Sequence, residues 1–110
     1  MFGMLAERLQ ASLRRLRGTA LDPFGRTAER RMERRLIAAF FNTAQFAAAY
    51  VVAERAAEKA RPDRRICLRA MARIIRGYEL WDRFDHHAAR ESMQRGAHEL
   101  EQYLTLSRDA

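Results

Sequence analysis

The stretch TAERRMERRLIAAFFNTAQFAAAYVVAERAAEKA (residues 27–60) is the longest in the chain without glycine or proline, and it decides the fold class. Along it, side chains recur at intervals of three and four residues, which is the spacing of one helix face. This series consists of Met32, Leu36, Ala39, Thr43, Phe46, Tyr50 and Ala53. The spacing predicts one long central helix from about Thr27 to Ala60.

A shorter helix and a loop are predicted before this segment. Leucines at positions 5, 9, 13 and 16 share one face of an N-terminal helix, and Gly18 stands where a left-handed residue would end it. In the loop of residues 18–25, Asp22 before Pro23 favours a capped turn. Gly25 would end that turn, and Phe24 is expected to anchor the loop in the core.

Two further helices are predicted after the long segment. Pro62 disfavours helix at the residue before it, and Asp63 is a suitable N-cap for a helix that runs to Arg76. Gly77 would end or kink this helix, and a last helix follows from about Glu79 to Leu106. With no strand pattern in the sequence, we expect a single all-α domain over residues 1–110, an antiparallel bundle of about four helices with one long central helix.

The chain is strongly basic. Its 110 residues carry a net charge of +7, and Lys59 is the only lysine among 21 basic residues. Such a surface suits nucleic acid, an acidic protein face or an anionic membrane. The arginines form three clusters, at positions 14–17, 30–35 and 61–65. Glutamates are interleaved in the second cluster, which favours solvated helix faces over a nucleic-acid interface.

Residues 36–53 contain no charged side chain, a length near the lower limit for a membrane-spanning helix. Polar residues near the middle and many alanines favour a buried helix over a membrane span. A helix that is apolar on more than one face indicates that a partner covers part of it. The aromatic side chains expected at this interface are Phe40, Phe41, Phe46 and Tyr50.

The sequence contains no complete catalytic site. His87 and Glu91 lie four residues apart on one helix face and are weak candidates for a metal site, which needs three or four converging ligands. Cys67, the only cysteine, lies in an apolar run and is expected in the core. No glycine-rich phosphate loop is present, so no cofactor is expected. The single cysteine and the lack of a secretory signal pattern at the N-terminus favour the cytoplasm.

Residues 16–37 resemble a segment near the C-terminal end of indolepyruvate ferredoxin oxidoreductases. The shared elements are Arg-Gly-Thr at residues 17–19, Asp-Pro-Phe-Gly at residues 22–25 and Thr-Ala-Glu-Arg-Arg-Met-Glu-Arg at residues 27–34. A shorter element, Ile-Arg-Gly-Tyr at residues 75–78, is similar to a second motif of that family, with Glu79 where the family tends to have glycine. Residues 38–70 depart from the family pattern.

The resemblance implies a helical accessory region of a 2-oxoacid oxidoreductase, since the thiamine-diphosphate and iron–sulfur motifs of that family are not in this sequence. For the matched residues, we expect Asp22 to cap its turn and to pair with Arg26 or Arg30. Three further arginines, Arg31, Arg34 and Arg76, would hold the loop against the turn at residues 75–78. The alternative is that these arginines contact an anionic ligand or the carboxylates of a partner.

The leading hypothesis is therefore a non-catalytic helical domain that docks on other chains. The partner would be a 2-oxoacid oxidoreductase subunit or a second copy of the chain. The first alternative is a small basic helical protein that binds nucleic acid or has a regulatory role. The second alternative is a small membrane protein with a single span through residues 36–53.

Overall fold

The computed structural model describes residues 2–19, 22–25 and 27–109, and within them five α-helices follow one another. They are α1 (Phe2–Leu16), α2 (Ala28–Asn42), α3 (Phe46–Lys59), α4 (Pro62–Asp82) and α5 (His86–Asp109). No strand occurs among these residues. The all-α class predicted from the sequence is confirmed, whereas the arrangement as a four-helix antiparallel bundle stays a prediction.

The predicted long central helix is wrong, because residues 27–60 form two helices with a turn between them. Many helices end at a residue in the left-handed conformation, which is usually glycine. In this turn Ala44 occupies that position, with a φ of 59°. The Gln45 N–H donates to the Phe40 carbonyl at 2.7 Å, and the Ala44 N–H donates to the Phe41 carbonyl at 3.1 Å. The Thr43 hydroxyl also donates to the Ala39 carbonyl at 2.8 Å, so the last carbonyls of α2 are satisfied.

This turn divides the charge-free stretch of residues 36–53 between the end of α2 and the start of α3. After it, α3 returns beside α2, with the Lys59 ammonium 2.7 Å from the Glu29 carboxylate and the Arg30 guanidinium 3.0 Å from the Ala56 carbonyl. Each helix therefore buries one face: Ile37 on α2 and a row of alanines on α3, at positions 49, 53, 56 and 57. The single span predicted as the second alternative is wrong, because residues 36–53 do not form one helix. None of the helices among the described residues is both long and apolar enough to cross a membrane.

The boundary between the last two helices also differs from the prediction. Gly77 does not end α4, which continues to Asp82. Instead, this glycine lies where α5 crosses closely: a β-carbon on Gly77 would meet the Met93 side chain and the Ala89 carbonyl. On α5, a β-carbon on Gly96 would lie 2.7 Å from the Ala70 carbonyl. The two glycines therefore allow close packing of α4 against α5.

The core lies around α4. Its buried residues come from every turn between residues 67 and 79, and they include Cys67, Leu68, Met71, Ile74 and Ile75. Helices α3 and α5 pack directly against α4, and α2 packs against α3. The same core also contains Leu9 and Leu16 of α1, Ile37 of α2, the alanines of α3, and Leu100, Tyr103 and Leu104 of α5. Helix α4 is thus apolar on more than one face because α3 and α5 both pack against it.

Candidate functional site

The loop between α1 and α2 is organised by one buried carboxylate. Asp22 is only 2% exposed, and it accepts hydrogen bonds from the Gly18 N–H at 2.8 Å and the Phe24 N–H at 3.0 Å. A terminal nitrogen of Arg34 on α2 lies 2.6 Å from both carboxylate oxygens. The carboxylate therefore ties the end of α1, its own turn and α2 together.

The charge of Asp22 is stabilised in place. Burial alone would raise the pKa of this carboxyl, because it penalises the charged form. The hydrogen bond from Arg34, the two backbone N–H groups and the charge of Arg34 together outweigh burial. As a result, the pKa of Asp22 lies below its ordinary value of 3.8.

Phe24 anchors the loop, as predicted from the sequence. Its ring is 2% exposed, and the Arg34 guanidinium lies over it at 5.3 Å from the ring centre. Gly18 and Gly25 flank this segment with φ values of 76° and 77°, which only glycine adopts without strain. Arg34 thus contacts the loop twice, through an ion pair with Asp22 and through a cation–π contact with Phe24.

The other arginines proposed for this site lie elsewhere. The predicted pairing of Asp22 with Arg30 is wrong, since Arg30 binds the Ala56 carbonyl and lies 3.6 Å from Glu33. Arg31 is exposed, and Arg76 pairs with Glu79 at 2.8 Å. Arg26 lies outside the described residues. Of the five candidates that the structure describes, only Asp22 and Arg34 are therefore brought together.

A cavity of about 330 Å³ opens beside the loop, between α1, α2 and α4. Its walls are mostly apolar, with Leu9 and Leu13 on one side and Ile37, Met71 and Ile75 on the other. Polar side chains stand around it: Gln10, Arg14, Arg17, Arg34 and Asn42. Sequence reasoning missed this cavity, because it depends on how α1 meets the other helices.

The aromatic residues expected at an interface pack largely against other residues of the same chain. Phe41, Phe46 and Tyr78 form a cluster with ring centres 5.0–5.4 Å apart. Tyr50 lies under the Arg76 guanidinium at 5.5 Å, and Phe40 is half-buried against the core. An interface role for these residues stays a prediction, but their rings are not a free aromatic face.

Among the side chains that the structure describes, the most exposed large apolar one is instead Phe84, in the turn between α4 and α5. It is 85% exposed and has a φ of 64°, at the same position of the turn as Ala44 in the turn before α3. Beside it, the rings of Trp81 and His86 stack 3.9 Å apart at an angle of 22°. The sequence contained a signal that was overlooked: a bulky aromatic between Arg83 and Asp85, where a helix end usually has glycine or asparagine.

The remaining reactive groups are buried or isolated. Burial raises the pKa of the Cys67 thiol to about 12, and it also raises the pKa of the Tyr103 hydroxyl to about 12. His87 and Glu91 do approach each other, at 3.5 Å. In the described part of the chain, however, no group of three or more histidine, cysteine and acidic side chains is placed to hold a metal ion. The predicted metal pair thus has no third ligand there.

The fold and the site define a small all-α domain whose loop is held by a buried aspartate–arginine pair. The chain belongs to a family of unknown function, DUF6537, whose sequence model matches residues 1–96. No curated protein and no solved structure matches the chain. The family covers both α1 and the loop, as well as all of α2, α3 and α4.

Proposed function

We propose that this chain is a non-catalytic helical domain that docks on another protein chain through the turn between α4 and α5. The observation that carries the proposal is Phe84, a large aromatic side chain that is 85% exposed in a left-handed conformation. That conformation costs a residue with a β-carbon roughly 1–2 kcal/mol, and glycine avoids the cost. Ala44 has the same backbone conformation in the turn before α3, so the feature that sets Phe84 apart is the exposure of a large ring, which supports a contact with another chain.

The surroundings of Phe84 suit an aromatic anchor. The stacked rings of Trp81 and His86 lie beside it, with the Phe84 and His86 ring centres 6.2 Å apart. Asp82, Arg83 and Asp85 are exposed around the rings. An aromatic centre with a polar rim is the usual composition of a protein–protein hot spot. We therefore expect the partner to present an apolar pocket that receives the Phe84 ring.

The loop of residues 18–25 supports an accessory role over a catalytic one. Both oxygens of Asp22 accept hydrogen bonds from the chain itself, and the Arg34 guanidinium that contacts them also covers Phe24. The carboxylate and the guanidinium are thus engaged with each other. The most specific stretch of sequence is then best interpreted as a scaffold for the ends of α1 and α2.

The resemblance of residues 16–37 and 75–78 to indolepyruvate ferredoxin oxidoreductases suggests the partner, a large subunit of a 2-oxoacid oxidoreductase. The test is affinity capture of the purified chain with such a subunit, with identification by mass spectrometry. Phe84→Gly should abolish capture while leaving the fold intact, because glycine suits this turn. Val51→Ser is the matched control, since Val51 is exposed on α3 and lies outside the proposed surface. Equal capture by all three proteins would contradict the proposed docking surface.

Self-association is the second form of this proposal. Met32 and Leu36 lie four residues apart on α2 and are 53% and 37% exposed, so one helix face has apolar side chains available to a second copy. Light scattering on the detergent-free protein measures the mass in solution. A dimer that Phe84→Gly leaves unchanged would assign self-association to α2. A stable monomer would leave the heterologous partner as the proposal.

Binding of nucleic acid remains the alternative function, and the position of the arginines favours it in one respect. Arg14, Arg15 and Arg17 at the end of α1 are exposed, as are Arg31 and Arg35 on α2. Exposed guanidinium groups bind phosphates, and such binding weakens steeply with salt. Fluorescence anisotropy with duplex DNA at low and moderate salt tests it. No binding at low salt would exclude this function.

A further inference from the structure

We propose that the cavity between α1, α2 and α4 binds one small apolar carboxylate, with its hydrocarbon part inside and its carboxylate on Arg14 and Arg17. This inference is independent of the docking surface at Phe84. The cavity of about 330 Å³ falls within the roughly 300–1,000 Å³ of small-molecule sites in proteins. It is open at one side, so a ligand can enter without unfolding the chain.

The walls select a hydrocarbon group. Leu9 and Leu13 of α1 face Ile37 of α2 and Met71 and Ile75 of α4 across the cavity. Leu9, Ile37, Met71 and Ile75 are already nearly buried by the fold, so the apolar surface still open to water in the cavity belongs mainly to Leu13, Phe41 and Ala38. A chain or ring of carbon atoms placed here would remove further apolar surface from water, which drives binding in proportion to the area covered.

The rim selects a single negative charge. Arg14 and Arg17 line the cavity and are exposed, and neither forms an ion pair with any residue that the structure describes. Arg34 also lines the cavity, but Asp22 already neutralises it. Of the described residues that line the cavity, none is acidic. The Arg14 Nε donates to the Gln10 carbonyl at 3.5 Å, which leaves its terminal nitrogens and the Arg17 guanidinium to bind a carboxylate, a group that accepts paired hydrogen bonds from such a fork.

Two neutral polar side chains also line the cavity, and they are compatible with an apolar ligand that carries one charge. Gln10 and Asn42 line the cavity, and their amide groups approach each other at 3.5 Å between α1 and α2. They add hydrogen-bond donors to the lining of the cavity without adding charge. The ligand class is therefore a monocarboxylate with an apolar body. That body is either an alkyl chain or an aromatic ring.

Calorimetric titration with octanoate, and separately with 1-octanol, tests the proposal. Octanoate should bind about tenfold more tightly than the alcohol, since charge-assisted hydrogen bonds add to the same apolar contact. A parallel titration with 2-naphthoate decides between a chain and a ring as the preferred body. Phe84→Gly should leave all of these affinities unchanged, which separates this site from the proposed docking surface.

Variants of the rim and the wall complete the test. Arg14→Gln combined with Arg17→Gln should remove the preference for octanoate, while Arg15→Gln is the matched control because Arg15 is exposed on α1 but does not line the cavity. Ala38→Trp should fill the cavity and abolish binding of both ligands, and Ala38 is exposed, so the fold tolerates it. No binding of octanoate at millimolar concentration, equal binding of octanol, or full binding by the double variant would each overturn the proposal.

Discussion

At the residue scale, Asp22 connects more of the structure than any other polar side chain in the loop. Its two oxygens take hydrogen bonds from two backbone N–H groups and from Arg34, and these contacts join the end of α1 to α2. A buried ion pair of this kind is not stabilising in itself, because both charges lose their hydration. Removal of one partner is nevertheless costly, since the other charge then stays buried alone.

The first prediction concerns Asp22→Asn. An asparagine retains the turn but leaves the Arg34 guanidinium without a counter-charge, so the free energy of unfolding at neutral pH should fall by about 2–4 kcal/mol. Chemical denaturation followed by circular dichroism measures it. A loss below about 0.5 kcal/mol would show that the pair is no more than a surface salt bridge.

The second prediction is the pH dependence of the same contact. The pKa of Asp22 is lower in the folded chain than its ordinary value of 3.8, so the unfolded chain takes up the proton first as the pH falls. The stabilisation by Asp22 is therefore present above pH 3.8 and is lost as the pH falls below that value toward the folded-state pKa. The difference in stability between wild type and Asp22→Asn should shrink between pH 6 and pH 2.5. A constant difference across this range would contradict the assignment.

The third prediction concerns Phe84. Phe84→Gly should raise the free energy of unfolding by roughly 0.5–1 kcal/mol, because relief of the left-handed strain exceeds the greater entropy of glycine in the unfolded chain. Phe84→Ala is the control: it removes the ring but keeps the β-carbon, so little stability should be gained. Thermal unfolding of the three proteins compares them directly. An equal gain for both variants would mean that the exposed ring, and not the backbone, is destabilising.

At the scale of the helices, two turns of the same type divide the chain. The turns at Thr43–Gln45 and at Arg83–Asp85 repeat the same backbone hydrogen bonds, with Asp85 donating to the Leu80 carbonyl as Gln45 donates to that of Phe40. Both have a left-handed residue that is not glycine. Local preference alone would not place a turn there, so the packing of the helices on either side maintains it.

The fourth prediction is made for the contact between α4 and α5. On helix propensity alone, Gly96→Ala would stabilise the chain by about 1 kcal/mol. We expect the opposite sign, a loss of about 1–3 kcal/mol, because the new β-carbon would lie 2.7 Å from the Ala70 carbonyl, which cannot turn away as a flexible side chain can. Urea denaturation of wild type and variant decides between the two. A stabilised variant would show that the helices separate easily at this point.

At the scale of the whole molecule, α4 is the helix that packs against both α3 and α5 and contributes the most buried residues. Cys67 on this helix is fully buried, and burial raises the pKa of its thiol to about 12. The reactive thiolate is therefore nearly absent at neutral pH, and reagents cannot reach it in the folded chain.

The fifth prediction uses Cys67 to report on global stability. Alkylation by iodoacetamide should be undetectable in the folded protein and should rise with denaturant at the same midpoint as the loss of helix signal. Mass spectrometry after timed labelling gives the modified fraction. Labelling well before the loss of helix would mean that α4 opens separately from the rest of the fold.

Several features of this protein were determined by the sequence alone. The all-α class follows from the three–four spacing of apolar residues, and the end of α1 follows from Gly18. The break at Pro62 and the buried anchor at Phe24 could also be predicted, whereas the predicted N-cap Asp63 is wrong, because α4 begins at Pro62 and Arg61 is its N-cap. These features depend on residues close together in the chain, where spacing, caps and allowed φ values act without knowledge of the rest of the fold.

Other features were decided only by the tertiary structure. The long helix divides at Ala44, α4 passes through Gly77, and Asp22 pairs with Arg34 and not with Arg30. The same is true of the cavity beside α1 and of the exposed ring of Phe84. In each case the outcome depends on which distant surfaces meet. Packing against a second helix can impose a left-handed turn without glycine, or can remove a glycine's tendency to end a helix, and neither effect is visible in the local sequence.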